Sequence, residues 1–275
     1  MSAISATAEG PRQRVALETL ALIGHQFRFD LLSFARNRQA RFAIVLMPVL
    51  FLVIFIALFG NGTVPLGGGV VVKVSTYYIP GLTAFGIISA AYSNLVVAVV
   101  HQREDGILKR RRATPIPALV PIAGRALVAV VAAFFMCGLL LAIGAAFYDS
   151  SLPTHTIPGV ALATAVGAVS FCCVAFAVAS FVRSSDAAQP MVQLTLLPLA
   201  FISGIFVPLN NVPAWLADVA SAFPARPLAD ALRAGFNPTT TGAGISGGDL
   251  LVLGAWAAGG LLVALLRFSW MPRGR

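Results

Sequence analysis

Two lysines, three histidines and ten carboxylates are what this chain offers for acid–base or metal chemistry, and their spacing excludes most of it. A phosphate-cradling P-loop needs a glycine directly before its lysine, because the backbone must wrap the phosphates. Lys73 follows Val72 and Lys109 follows Leu108, so the chain carries no Walker A motif of its own. His25, His101 and His155 lie far apart, which argues against a zinc triad. No Ser, His and acid grouping falls within an apolar run, as an intramembrane protease would need. Cys137, Cys172 and Cys173 all sit in apolar runs without ligand spacing, as small packing residues. An enzyme is not expected. One polar loop remains, His101-Gln102-Arg103-Glu104-Asp105-Gly106-Ile107-Leu108-Lys109-Arg110-Arg111-Arg112-Ala113-Thr114-Pro115-Ile116-Pro117. Its acidic residues precede a short helical stretch with basic later positions, the order that suits a helix dipole. It reads either as a topogenic loop or as a short helix that docks on a cytoplasmic partner.

The elements that position this loop are apolar runs of about twenty residues, the length needed to cross a 30 Å hydrocarbon core as a helix. They cover Phe42–Gly60, Ile79–Val100, Ala126–Phe147, Pro158–Val182, Pro190–Val207 and Leu250–Phe268. None has a charge in its middle; Arg267 lies near the end of the last. A central charge costs about 2.5–3.5 kcal/mol on the insertion scale. The absence of an intramembrane carboxylate also argues against a proton- or sodium-coupled carrier. The fold class expected is an all-α polytopic membrane protein with six spans.

A hydrophobic fraction of 58%, 11% charged residues and a mean hydropathy of +0.88 agree with that class. The net charge of +9 is a topology signal rather than a nucleic-acid footprint. Sixteen of the nineteen Lys and Arg fall on one side of the six spans, which puts both termini and the loop 101–121 in the cytoplasm, against anionic lipid. The first apolar run follows a long Arg-containing segment and exceeds a signal h-region, so a cleaved signal peptide is not expected. Seventeen arginines against two lysines, with abundant alanine, point to a GC-rich bacterium and its inner membrane.

A cytoplasmic N-terminal segment, 1–41, precedes one membrane domain, 42–275. In the first, Ala16, Leu20, Ile23, Phe27, Leu31 and Phe34 recur at helical steps from Gln13 to Arg41, with Arg14, Arg28, Arg36, Arg38 and Arg41 on the basic side. Such a helix lies along the interface. In the second, Asn61–Tyr78 reads as a Gly-rich connection with Gly67-Gly68-Gly69 as a flexible point. Gly159, Ala163 and Gly167 form a small-residue face that admits close approach of another helix. The segment 208–248 holds no spanning run. Trp215, Leu216, Val219 and Phe223 suggest one short amphipathic helix between Pro213 and Pro224, and Leu228–Phe236 another, both at the outer mouth.

The run Arg103-Glu104-Asp105-Gly106-Ile107-Leu108 through Arg112-Ala113-Thr114-Pro115 resembles the signature of ABC-2 type exporter permeases, Arg-Glu-x-Gly-Thr-Leu followed by a Leu/Arg-rich turn and Thr-Pro. A second similarity follows span five, in Ser203-Gly204-Ile205-Phe206-Val207-Pro208, Val212-Pro213-Ala214-Trp215-Leu216, Phe223-Pro224 and Pro227-Leu228-Ala229-Asp230-Ala231-Leu232-Arg233. The resemblance implies a half-transporter that pairs with a second permease half and binds separate ABC ATPase subunits, which hold the Mg-ATP; this chain then needs no cofactor. It implies a connecting helix at Gln13–Arg41, a coupling helix around Glu104–Thr114 and re-entrant helices within Val212–Phe236. The ATPase-coupling residues are then Glu104, Asp105, Gly106, Leu108, Arg111, Thr114 and Pro115. Ile107 stands where Thr is frequent and Arg111 where Leu is commoner, which alters how the loop seats. Glu104 is expected either to pair with an arginine of the connecting helix or to be solvated.

For the substrate path, span two contributes Phe85, Ser89, Tyr92 and Asn94, and span five Gln193, Thr195, Phe201 and Ser203. A mostly apolar cavity with a few hydrogen-bonding groups suits amphipathic drugs, antibiotics or lipids. Interhelical hydrogen bonding is the plain alternative for each polar residue. Two rival functions share the pattern, a polysaccharide or glycolipid exporter and a non-transporting membrane scaffold. Cysteine labelling tests the topology: substituted positions in 101–121 should resist membrane-impermeant reagent in intact cells, and external labelling there would overturn the orientation.

Overall fold

The structure, a computed structural model, describes residues 11–67, 70–107, 119–150, 152–206, 213–240 and 242–267. Helices dominate, as they must where backbone groups have no water to bond and each segment has to satisfy its own. The helices are α1 (Pro11–Arg36), α2 (Arg38–Phe59), α3 (Val74–Ile88), α4 (Asn94–Glu104), α5 (Leu119–Tyr148), α6 (Ile157–Phe181), α7 (Ser185–Ile202), α8 (Ala214–Ala222), α9 (Ala225–Phe236) and α10 (Gly247–Arg267). A π-helical turn, Ser89–Ser93, joins α3 to α4 in one continuous rod.

Four helices among the described residues are long and apolar enough to cross a membrane: Val74–Glu104, Val120–Tyr148, Ile157–Phe181 and Gly247–Arg267. In α2 the apolar part is the shorter Ile44–Phe59. Helix α7 has 18 residues, begins Ser-Asp-Ala-Ala-Gln and contains Pro190 and Pro198. Its start is capped by Ser184, which accepts the Ala187 N–H at 3.3 Å, with Asp186 at the positive end of the dipole.

The N-terminal stripe folds as expected up to Asn37, where the chain breaks before α2; the single helix expected to Arg41 is therefore two. Ile23, Phe27, Leu31 and Phe34 of α1 are half-buried, while Leu20, at the start of the same stripe, and Phe29, on the outer side, are exposed. Helix α1 packs along α5, where Gly124 leaves the room: a Cβ there would lie 2.8 Å from Gln26 Cγ.

The connection after α2 is more regular than expected. Thr63–Gly67 and Val70–Lys73 pair as an antiparallel hairpin, with Thr63 opposite Lys73, and α3 begins directly at Val74. Val70, Val71 and Val72 are β-branched and favour the strand, a signal masked by the glycines beside them. Asn61 latches the hairpin, donating to Tyr148 O at 2.7 Å and accepting the Ser75 N–H at 3.2 Å. Lys73 pairs with the exposed Asp149 and holds its carboxyl below the usual carboxylate range. That lowered value makes the contact a stabilising one above about pH 4, lost as pH falls through it.

Helix α6 is the centre, packed against α5, α10, α9 and α4. Its small-residue face does admit close neighbours, though not a spanning helix. A Cβ on Gly159 would lie 2.3 Å from Gly244 O and one on Gly167 2.4 Å from Leu228 Cδ1. Helix α10 approaches the other side, where a Cβ on Gly260 would sit 2.8 Å from the Cys173 carbonyl carbon. The two short helices expected within 208–248 are present as α8 and α9, and α9 is buried along Leu228, Ala229, Ala231, Leu232 and Phe236.

These contacts separate two classes of glycine. Gly159→Ala meets rigid backbone oxygens and should destabilise by about 1–3 kcal/mol. Gly138→Ala, in α5 with nothing within 4 Å of its Cβ, should be neutral or stabilising. Thermal unfolding of the two variants in detergent checks the contrast.

Candidate functional site

Helix α4 stops where the polar loop begins. Asp105 caps it, Gly106 turns to φ +70°, and the Gly106 N–H returns to Arg103 O at 3.1 Å. A residue with a Cβ is strained in that left-handed turn, which explains the glycine of the motif. Leu108, Arg111, Thr114 and Pro115 lie outside the described residues.

Arg103, just before the stop, is 1% exposed and is the bulkiest fully buried side chain described. Its guanidinium reaches across to the end of α6, with Nη1 donating to Ala179 O at 3.1 Å and Nη2 to Val182 O at 2.7 Å. Those are terminal carbonyls that the α6 helix itself cannot satisfy. Nε donates to Glu104 Oε1 at 3.0 Å. Of the two alternatives, an arginine of the connecting helix or solvation, the structure shows neither: the partner of Glu104 is its chain neighbour. Adjacent helical residues normally point apart, but at the last residue of α4 the two side chains meet. Arg103 stood in the motif yet carried no signal of burial, since arginine is ordinarily a surface residue.

A second site lies between α2, α3 and α7. A cleft of about 600 Å³ is lined by Phe51, Phe85, Ser89, Asn94, Gln193 and Phe201, among others. Its aromatic wall is continuous: Phe206 stands 5.2 Å from both Phe51 and Phe85 and 5.4 Å from Phe201, between ring centroids. Five of the eight expected path residues therefore meet here. Tyr92 and Thr195 do not. They line a separate cavity of about 320 Å³ and bond to each other, Tyr92 Oη to Thr195 Oγ1 at 2.5 Å, as an interhelical clasp. Ser203 is buried and bonds its own helix at Ala200 O, 2.9 Å away.

The π turn causes this division. It inserts one residue into the rod, so that Ser89, Ser93 and Asn94 line the cleft while Tyr92 meets α7. Asn94 steadies the widened turn by donating to Ser89 O at 3.2 Å. No periodicity in the sequence announces such an insertion.

At the opposite end, Gly204 closes the α7 region at φ +74° and accepts a hydrogen bond from Arg233 of α9. Arg233 also donates to Asp230 at 2.9 Å and lies 5.8 Å above the Tyr77 ring. Arg226 donates to Ala217 O at 2.6 Å, joining α9 to α8, and Trp256 of α10 donates to Ala222 O at 2.8 Å.

A family model described as ABC-2 type transporter matches residues 22–237, from α1 through α9. The chain belongs to the ABC-2 type transporter family. The ABC-2 domain makes it a multi-pass membrane protein and the permease subunit of an ABC transporter, a transmembrane part rather than an ATPase. The family typically works with ATPase partners. No curated protein matches the chain.

In this ABC-2 permease the Arg103 fork should be a point of fragility. Arg103→Ala strips donors from two terminal carbonyls and should cost about 3 kcal/mol. Arg103→Lys keeps the charge but lacks the planar fork and should recover only part of the loss. Thermal unfolding of both variants measures the difference; equal stability of the Ala variant and the parent would refute the role.

Proposed function

We propose that the chain is a half-transporter with six membrane crossings, α2, the α3–α4 rod, α5, α6, α7 and α10, and with both termini in the cytoplasm of a bacterial cell. Its α1 lies on the inner interface, and α8 and α9 re-enter from the outer side. A second permease half, identical or related, completes the pathway. ABC ATPase subunits engage 101–121 and supply the energy of Mg-ATP hydrolysis.

One observation carries this reading: the cleft and the loop share a single rod. Phe85, Ser89 and Asn94 line the cleft, and the same 31-residue helix, Val74–Glu104, ends at the loop. Ten residues separate Asn94 from Glu104, about 15 Å of helix. Displacement of the loop by ATPase closure therefore moves one wall of the cleft, while Arg103 carries the motion to the end of α6. The Tyr92–Thr195 clasp, made or broken, gives the two walls the distinct contacts that a two-state cycle requires.

The cleft supports a lipophilic or amphipathic cargo such as a drug, an antibiotic or a lipid, moved outward. Its volume falls within the roughly 300–1,000 Å³ of small-molecule sites. Phenylalanine dominates the wall, and Ser89, Asn94 and Gln193 supply a few polar contacts. A glycan would ask for many more hydrogen-bonding groups than these.

Reconstitution with the partner ATPase provides the test. Glu104→Ala should reduce substrate-stimulated ATP hydrolysis several-fold while leaving insertion and basal hydrolysis intact. Asn94→Ala and Gln193→Ala should impair some substrates and spare others. Uniform loss across all substrates assigns those two residues to structure, and unchanged stimulation in the Glu104 variant removes it from coupling.

A further inference from the structure

Three helical stripes converge on a further cavity, which shares Asn94 with the transport cleft and Gln102 with the polar loop. Asp30, Ser33, Phe34 and Asn37 of the α1 end, Asn94, Ala98 and Gln102 of α4, and Arg125, Ala129 and Ala132 of α5 enclose about 210 Å³. Each set follows helical spacing, so three separate faces contribute to one wall. The cavity is graded. Arg125 and Gln102 stand near the loop-side ends of their helices, and the α5 lining turns apolar over the seven residues from Arg125 to Ala132, about 10 Å of helix.

Its two charges are of opposite sign and come from different helices. Asp30 belongs to α1, where Gln26 donates to its Oδ2 at 2.8 Å and holds the carboxylate in place. Arg125 belongs to α5 and donates to Gln102 Oε1, which turns the Gln102 amide NH2 into a second donor. Gly124, beside Arg125, lets α1 come close at Gln26, one turn before Asp30. Oxygen acceptors gather at Asp30, Ser33 and Asn37, and donors at Arg125 and Gln102.

We propose that this cavity binds the headgroup of a zwitterionic aminophospholipid, with phosphoethanolamine as the recognised chemistry. The primary ammonium has three N–H donors for the Asp30 side. The phosphate takes the guanidinium and amide donors on the Arg125 side. A trimethylammonium has no N–H to give a carboxylate, and a purely anionic headgroup would face Asp30 uncompensated. The cavity is smaller than a drug-sized site of roughly 300–1,000 Å³, so it holds a headgroup while the acyl chains leave along the apolar end. The bound lipid bridges α1 to the rod and to α5, and so stiffens the joint beside the loop. The inference needs a bilayer but not ATP-driven transport, so it stands or falls apart from the transport mechanism.

Native mass spectrometry of the full-length, delipidated chain tests it, with short-chain phosphatidylethanolamine, phosphatidylglycerol and phosphatidylcholine, and with soluble phosphoethanolamine. Phosphatidylethanolamine should bind about tenfold more tightly than the other two lipids. Arg125→Gln should weaken every phospholipid. Asp30→Asn should weaken phosphatidylethanolamine alone by about tenfold and so erase the preference. Ser33→Trp, at an exposed position on the mouth, should block binding without changing either charge; it decides the matter if a charge variant fails to fold. Equal binding of the three lipids, a preference that survives Asp30→Asn, or undiminished binding to Ser33→Trp would overturn the site. Soluble phosphoethanolamine binding as tightly as the lipid would overturn the membrane source and assign the cavity to a free phosphoamine.

Discussion

The last carbonyls of a membrane helix have neither a next turn nor bulk water to bond, and in this chain arginine supplies donors to them. Arg103 serves the end of α6 through Ala179 and Val182, and Arg233 serves Gly204 beyond α7. Each guanidinium comes from another helix, so satisfying the backbone also ties two segments together. A lysine, with one compact ammonium, covers such paired acceptors less well. Glycines at 106, after α4, and at 204, after α7, accept a positive φ where the helical path has to stop. The two stretches that resemble the family signature therefore do the same physical job on opposite sides of the bundle.

Between those ends, close packing depends on missing side chains. Gly159, Gly167 and Gly260 bring three neighbours onto α6, and the buried α9 lies against its far half. The outer helices are differently disposed. Only 17% of the apolar window of α10 is buried, against 61% in Ile157–Phe181 and 67% in the Val74–Glu104 rod. Exposed Leu251, Leu262 and Leu266 on α10 suit lipid contact. The rod that joins the cleft to the loop thus lies inside, where its displacement must be felt by its neighbours.

Much of this was legible in the residues themselves. Apolar runs located the four helices long enough to cross a membrane, with ends off by one to seven positions, because exclusion of charge from hydrocarbon is a strong and local signal. Pro213 and Pro224 bracketed α8, and the expected Leu228–Phe236 covers all but the first turn of α9. The hairpin at 63–73 was hidden because glycine punctuation outweighs a three-valine strand when read locally. The burial of Arg103 was invisible for another reason: its acceptors are main-chain atoms 76 and 79 positions away, and no side-chain pattern encodes them. Phe85, Ser89, Asn94, Gln193 and Phe201 were candidates because spans two and five offer hydrogen-bonding groups among aromatic rings; that the five line one cleft is visible only in the structure. The exclusion of Tyr92 and Thr195 depended on the π turn.

That turn also sets how the gene can vary in length. Removing one residue from Ser89–Ser93 would let an uninterrupted α-helical ladder form, with ordinary bonding throughout. The turn holds one residue more than an α-helical path would, so everything beyond it would keep nearly the same azimuth after that loss. Arg103 would stay turned toward its socket. The same deletion elsewhere in the rod, with no widened turn to absorb it, would instead rotate Arg103 by about 100°, one α-helical step, although its codon was untouched.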